Sequence, residues 1–293
     1  MQNSTKQTSS TLNPQSSSLR YRLGVFDSGL GGLTIVKALL ESLSDTTIYY
    51  VADTAHAPYG SKTTQKIIEY SLVITQYLID TYDIDALVVA CNTATIAAIK
   101  TLREKFPSLV IIGTEPAIKP ACKLTKTKTI GVMATKATLQ GEKYNKLSSK
   151  LQDEYGVKVI QRACVGLVEQ IEAGQIDTVK TNNMLREWLE PMLEANVDAI
   201  VLGCTHYPLV SKEILKIMTN NPILIDSAKA IASRVKELLG IKPSIKGKDN
   251  YIVIIPTGDI EVDMVNVALD GTEGTPIQII KINRDNTLEK VKK

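Results

Sequence analysis

The stretch Asp85-Ala86-Leu87-Val88-Val89-Ala90-Cys91-Asn92-Thr93 is written twice in this chain, its echo being Asp198-Ala199-Ile200-Val201-Leu202-Gly203-Cys204-Thr205-His206. Each copy opens with Asp-Ala, runs through three aliphatic residues and one small one, and ends in a cysteine followed by polar groups. Such a short apolar run reads as a strand, and the C-terminal ends of strands are where open α/β sheets hold their ligands. A second pair agrees with the first. Leu23-Gly24-Val25-Phe26-Asp27-Ser28 matches Ile130-Gly131-Val132-Met133-Ala134-Thr135; Gly24 and Gly131 stand 107 residues apart, Cys91 and Cys204 113. A period this long exceeds the ~20 to 50 residues of solenoid repeats and predicts two related domains, each contributing one thiol.

From Tyr21 the chain alternates short apolar runs with helical stretches. A strand over 23–26 is followed by a glycine-rich turn at 28–32, a helix over 33–42, a strand over 48–51, a loop over 53–60 and a helix over 63–81. The strand before Cys91 leads to a helix from Thr95 to Lys105, stopped ahead of Pro107, and to a strand from Leu109 to Ile112. This order predicts an α/β fold of largely parallel sheet covered by helices. Residues 113–116 read as the crossing into a second domain, with Pro116 and Pro120 favouring an extended, non-helical link. That domain is expected to hold strands over 129–133, 158–160 and 199–203, a helix over 177–194, and a strand from Ile223 to Ile225. Asp226-Ser227 then caps a helix ending at Gly240. Strands near 251–255 and 276–281 and a helix near 260–269 are too few for a third domain and return to complete the first. The expected division is a tail over 1–20, a first domain over 21–115 completed by 226–285, and a pseudo-symmetric second domain over 116–225, with the active site in the cleft between them.

The 293 residues suffice for two substantial cores, and 44% hydrophobic with 22% charged residues is ordinary for a globular chain. A formal charge of +3 and 5% aromatics give neither the basic footprint nor the stacking surface of a nucleic-acid binder. No run of ~18 apolar residues is present to span a membrane. Four cysteines without a C-x-x-C pair, and an N-terminus without a secretory apolar core, point to a reducing cytoplasm. With His56 and His206 the only histidines, no metal site is expected. Residues 1–20, rich in Ser, Thr, Gln and Asn, read as a disordered tail; Lys6 and Arg20 are too few for a transit peptide.

Asp27-Ser28-Gly29-Leu30-Gly31-Gly32 lies between strand and helix, where amides bind anions. It has neither the G-x-G-x-x-G spacing nor a Gly-Lys-Ser/Thr, and a plain tight turn is the alternative to a site containing the Asp27 carboxylate. Asp53 to Gly60 follows the second strand and could close over the same crevice, though Pro-Tyr-Gly alone is a turn and His56 alone a structural residue. Cys122 and Cys164 read as small buried hydrophobes. Cys91 and Cys204, at equivalent strand ends, could serve as a paired base and acid, thiolate on one face of a carbon and thiol on the other. A disulfide between them, or one nucleophilic cysteine with His206, are the competing readings. Glu169, past the strand at 158–160, is either a second-domain site carboxylate or a solvated helix residue.

Six motifs in order, GVFDSGLGG (24–32), DTAHAPYG (53–60), VVACNTAT (88–95), IGVMATKAT (130–138), GLVEQIEAG (166–174) and LGCTHYP (202–208), make the chain resemble the cofactor-independent aspartate/glutamate racemase family over nearly its whole length after residue 20. CNTAT with GCTHYP favours the glutamate branch. The resemblance implies Cys91 and Cys204 as the acid/base residues, the first acting on the D isomer and the second on the L isomer. It implies Asp27 and His206 as their assistants and Glu169 as a further catalytic carboxylate. Substrate contacts are implied for Asp27, Ser28, Tyr59, Gly60, Asn92, Thr93, Thr205 and His206, with Thr135 and Thr138 in addition. It further implies interconversion of L- and D-glutamate for peptidoglycan synthesis, no metal or organic cofactor, and a homodimer. Two positions depart from the family pattern: Val165 replaces a common proline and His56 a common arginine. From a different class, a non-catalytic binding protein closing on an amino acid would use the same hinged domains.

Overall fold

The computed structural model describes residues 21–241, 249–272, 274–282 and 288–290; the tail expected over 1–20 lies outside them. The first sheet takes β1 (Tyr21–Asp27), β2 (Thr46–Ala52), β3 (Ala86–Val89) and β4 (Val110–Gly113), joined through α1 (Leu33–Ser42), α2 (Thr64–Tyr82) and α3 (Asn92–Lys105). After α4 (Ile118–Leu124) the second sheet takes β5 (Thr129–Ala134), β6 (Lys158–Ala163), β7 (Ala199–Gly203) and β8 (Ile223–Ile225). Its connections are α5 (Lys136–Gln140), α6 (Glu142–Tyr155), α7 (Leu167–Glu172), α8 (Val179–Glu194) and α9 (Ser211–Ile217). The chain then passes through α10 (Ala228–Leu238) into β9 (Tyr251–Pro256), α11 (Val262–Ala268), β10 (Ile277–Ile282) and β11 (Leu288–Lys290). Strand order is β11-β10-β9-β2-β1-β3-β4 in one sheet and β6-β5-β7-β8 in the other. Among the described residues only the β10–β11 pair is antiparallel.

The repeat in sequence is a repeat in register. Leu23 lies opposite Ala86 across β1 and β3, and Ile130 opposite Ala199 across β5 and β7, so β2-β1-β3-β4 and β6-β5-β7-β8 are the same arrangement made twice. β3 and β7 are buried along their whole lengths, which explains their unbroken aliphatic runs. The Asp that opens each repeat is a latch. Asp85 Oδ2 accepts the Arg22 amide at 2.6 Å, and Asp198 Oδ2 accepts the amides of Lys126 and Thr127 at 2.6 and 3.1 Å. Each carboxylate thus holds the start of the neighbouring central strand in line with its own. On α1, Leu33, Ile35, Val36, Leu39 and Leu40 are buried; burial of each such side chain stabilises by roughly 1.5–3 kcal/mol. One core cluster runs from Leu23 and Val25 of β1 through Met133 of β5 to Ile200 and Leu202 of β7, joining the two sheets.

The C-terminal segment completes the first sheet, β9 inserting beside β2 with Thr47 opposite Tyr251. Asn250, buried just ahead of it, accepts the Thr46 amide and donates to the carbonyls of Leu40 and Leu43. Three details differ from the sequence expectation. Helix α3 begins at Asn92, not Thr95, which makes Cys91 its N-cap. The stretch around Pro116 and Pro120 is not wholly extended, for α4 starts at Ile118. Pro120 is its third residue, in the first turn, where a missing N–H breaks no helical hydrogen bond. At α10 it is Asp226 Oδ1 that accepts the Ala228 amide, at 2.8 Å, while Ser227 donates to the Glu115 carbonyl and ties the helix to the crossing.

Candidate active site

The C-terminal ends of the central strands face a cavity of about 440 Å³, lined from the first sheet by Ser28, Tyr59, Gly60, Cys91, Asn92 and Thr93. From the second come Thr135, Cys164, Glu169, Cys204, Thr205 and His206. Asp27 lies just behind this wall, fully buried. Thr138 joins it through its hydroxyl: Thr93, Thr135 and Thr138 form a triangle of contacts at 3.0, 3.0 and 3.5 Å that bridges the N-termini of α3 and α5.

Cys91 sits where the backbone turns from β3 into α3, and its sulfur accepts the Ala94 amide at 3.5 Å while donating to the Ser28 hydroxyl at 3.8 Å. The helix N-terminus favours a thiolate there. Burial nonetheless pushes the Cys91 thiol well up, and the Asp27 charge adds to it, the amide opposing both. Asp27 makes no hydrogen bond to Cys91. Its carboxylate accepts the Gly29 amide and the Thr205 hydroxyl, each at 3.0 Å, and so links the two halves of the site. Burial raises the Asp27 carboxyl, and the positive charge of His206 pulls it back down in part.

On the other side, Cys204 Sγ lies 3.7 Å from Nδ1 of His206, whose Nε2 is in close contact with Glu172 Oε1. The Leu30 amide donates to the same Glu172 oxygen at 2.6 Å. Burial disfavours a charged imidazole, but the hydrogen bonds with Cys204 and Glu172 outweigh it and hold His206 protonated well above the usual histidine range. Burial likewise lifts Glu172, and its bonds to His206 and the Leu30 amide more than reverse that, leaving it below the usual carboxylate range. The two directions agree on an imidazolium–carboxylate pair. Nε2 then donates to Glu172, and the Gly31 amide, 3.2 Å from the same nitrogen, has it as an acceptor only when the ring is neutral.

This packing explains the glycines of 29–32. A Cβ on Gly29 would stand 2.1 Å from Glu172 Oε1, one on Gly31 2.3 Å from His206 Nδ1, and one on Gly32 2.6 Å from the Asp27 Cβ. The turn is a bare saddle on which the His206–Glu172 pair rests, a reason that spacing alone does not reveal. Glu169 lines the cavity one helical turn earlier, is exposed, and does not reach His206. The carboxylate on His206 is Glu172, which sequence reasoning missed. Both lie on α7 at i and i+3, so only the seating of that helix separates them.

Asp53 was also missed. Buried at the end of β2, it accepts Tyr59 Oη at 2.5 Å on one oxygen and Thr257 Oγ1 at 2.8 Å on the other, with His56 Nδ1 also 2.8 Å away. The 53–60 loop is thereby braced against the end of β9, and Tyr59 and Gly60 are presented to the cavity. His56 points outward and stacks on Tyr70 with ring centroids 4.0 Å apart. Among the described residues no group of three or more His, Cys, Asp or Glu side chains is arranged to hold a metal ion, and no helix is long and apolar enough to cross a membrane.

The model of the Asp/Glu/Hydantoin racemase family matches residues 31–235. This chain belongs to that family. It is 53% identical over 244 residues to a glutamate racemase of Sulfurovum sp. (strain NBC37-1), covering 83% of this chain and 92% of that one. With the glutamate racemase of Aliarcobacter butzleri (strain RM4018) the identity is 51% over 249 residues, covering 85% and 95%. Among solved structures, Escherichia coli glutamate racemase in complex with L-glutamate and the activator UDP-MurNAc-ala superposes with a TM-score of 0.75 at 29% identity, covering 93% and 100%. The Francisella tularensis glutamate racemase in complex with D-glutamate gives 0.71 at 29% identity, covering 88% and 97%. The racemase described here is therefore an isomerase, and its two helix-covered sheets are the architecture of the glutamate racemases.

Proposed function

We propose that this racemase interconverts L- and D-glutamate by proton transfer between Cys91 and Cys204 across the substrate α-carbon, without metal or organic cofactor. The observation that carries the reading is that both sulfurs reach one cavity from register-equivalent strand ends. A thiolate on one face takes the α-proton, the electron pair remains on carbon as a carbanion, and the thiol on the opposite face delivers its proton there. The configuration is inverted and the two sulfurs have exchanged protonation states. Cys91 removes the proton of the D isomer and Cys204 that of the L isomer.

An α-proton is far less acidic than a thiol, so the carbanion needs preorganised donors. Asn92, Thr93 and Thr205 supply them beside the thiols, with Ser28, Tyr59, Gly60, Thr135 and Thr138 for the carboxylates. Asp27 orients Thr205, and the imidazolium of His206 neutralises charge on Cys204. We assign to Glu172, through its contact with His206, the part that the sequence motif had suggested for Glu169. Likeness to the glutamate racemases supports the further proposals that the D-glutamate serves peptidoglycan synthesis in the cytoplasm and that the working form is a homodimer. Either enantiomer incubated with enzyme in deuterated water is expected to acquire deuterium at the α-carbon as it racemises. Racemisation without exchange sinks the two-thiol mechanism, and no turnover of glutamate sinks the substrate.

A further inference from the structure

The cavity described above is an unwelcoming place for a dicarboxylate. With His206 and Glu172 neutralising one another, the acidic groups left at its wall are Asp27 behind and Glu169 at the rim. Two cations answer them. Lys62 follows the short turn that presents Tyr59 and Gly60, and Lys136 is the first residue of α5; both line the cavity. Neither has an ion-pair or hydrogen-bond partner for its ammonium among the described residues, so both charges at the cavity are open to an anion. They belong to opposite sides of the cleft, and the two sides touch beside them: a Cβ on Gly60 would lie 3.3 Å from that of Thr135.

From this we propose that Lys62 and Lys136 form a two-sided cationic mouth that concentrates a dicarboxylate at the cavity and sets its affinity, without touching the reacting carbon. The inference rests on the racemase reading for its substrate class. Physically, two unpaired ammonium groups lining one cavity raise the local concentration of anions, and the effect is screened by salt.

The test uses the full-length enzyme with Lys62→Gln, Lys136→Gln, the double variant, Lys62→Arg and, as a distant control, Lys100→Gln. At low ionic strength each glutamine substitution is expected to raise KM for both isomers about two- to threefold and the double variant about five- to tenfold, with kcat changed less than twofold. In ~0.5 M salt the differences should vanish; Lys62→Arg and Lys100→Gln should match the wild type throughout. Calorimetric titration with D-glutamate is run in parallel at both salt concentrations. Affinities that ignore both the lysines and the salt overturn the proposal even in an active enzyme. Lysine-dependent, salt-sensitive binding in a wild-type protein that does not racemise glutamate overturns the proposed function and upholds the mouth.

Discussion

Replacing Gly31 by alanine tests whether the glycine saddle exists to seat His206. The added methyl would stand 2.3 Å from Nδ1 and 2.6 Å from Cε1 and Cγ of the imidazole, whereas non-bonded atoms settle near ~3.5 Å. Something must give by about 1 Å. His206 is fully buried between Cys204, Thr205 and Glu172, so it cannot retreat without leaving one of them. Overpacking of this kind costs about 1–3 kcal/mol of stability, and a displacement of ~1 Å in a catalytic group lowers kcat about 100-fold. The comparison is Gly156→Ala. Gly156 has φ +60° at the C-cap of α6 with nothing within 4 Å of a new Cβ, so backbone strain costs about 1 kcal/mol and activity stays whole. Both variants would be followed by thermal unfolding and by racemisation of each enantiomer. A folded Gly31→Ala enzyme with kcat within twofold of wild type would refute the idea that the saddle positions the imidazole.

Three further outcomes are expected. Cys91→Ser and Cys204→Ser should each lower racemisation about 1,000-fold or more, read by polarimetry in both directions; intact activity in either removes that sulfur from the chemistry. Glu172→Gln should lower kcat about tenfold to a hundredfold and move the alkaline limb of the pH profile to lower pH. The sign follows from the raised His206: its pairing stabilises the fold fully below the ordinary histidine value and is lost as pH rises through the folded one, while the lowered Glu172 stabilises above the ordinary carboxylate value and is lost as pH falls through its own. An unchanged alkaline limb counts against the pair. Asp198→Ala removes the acceptor of the Thr125 hydroxyl and the Lys126 and Thr127 amides. A cost of about 1–2 kcal/mol, a few degrees in Tm, is expected with kcat unchanged; no thermal shift would show that the latch is idle.

Much of the architecture was legible because its signals are local and repeated. Unbroken aliphatic runs mark strands buried on both faces, and the Asp-Ala openings of 85 and 198 mark the same latch in both sheets. Where three-dimensional seating decides, the sequence was silent. Glu169 and Glu172 differ by one turn on a short helix, and nothing in their spacing says which meets His206. Asp53 was passed over because its importance comes from Thr257, some 200 residues later, bonding to it. The glycines of 29–32 carried an ambiguous signal, anion loop or turn, because the groups that forbid a Cβ on Gly29 and Gly31, Glu172 and His206, arrive from the far half of the chain. Pro120 misled for a general reason: a proline in a helix's first turn looks from sequence like a proline that prevents one.

The insertion of β9 beside β2 has a consequence for synthesis. When the ribosome has released both thiols and both copies of the repeat, the bracing of the Tyr59 loop from β9 is still unmade: Thr257 and Gly258, which bond Asp53 and Thr54, come later in the chain. A nascent chain therefore carries both thiols before it has the strand that braces the wall beside them, and that wall is completed only when β9 slides in against β2.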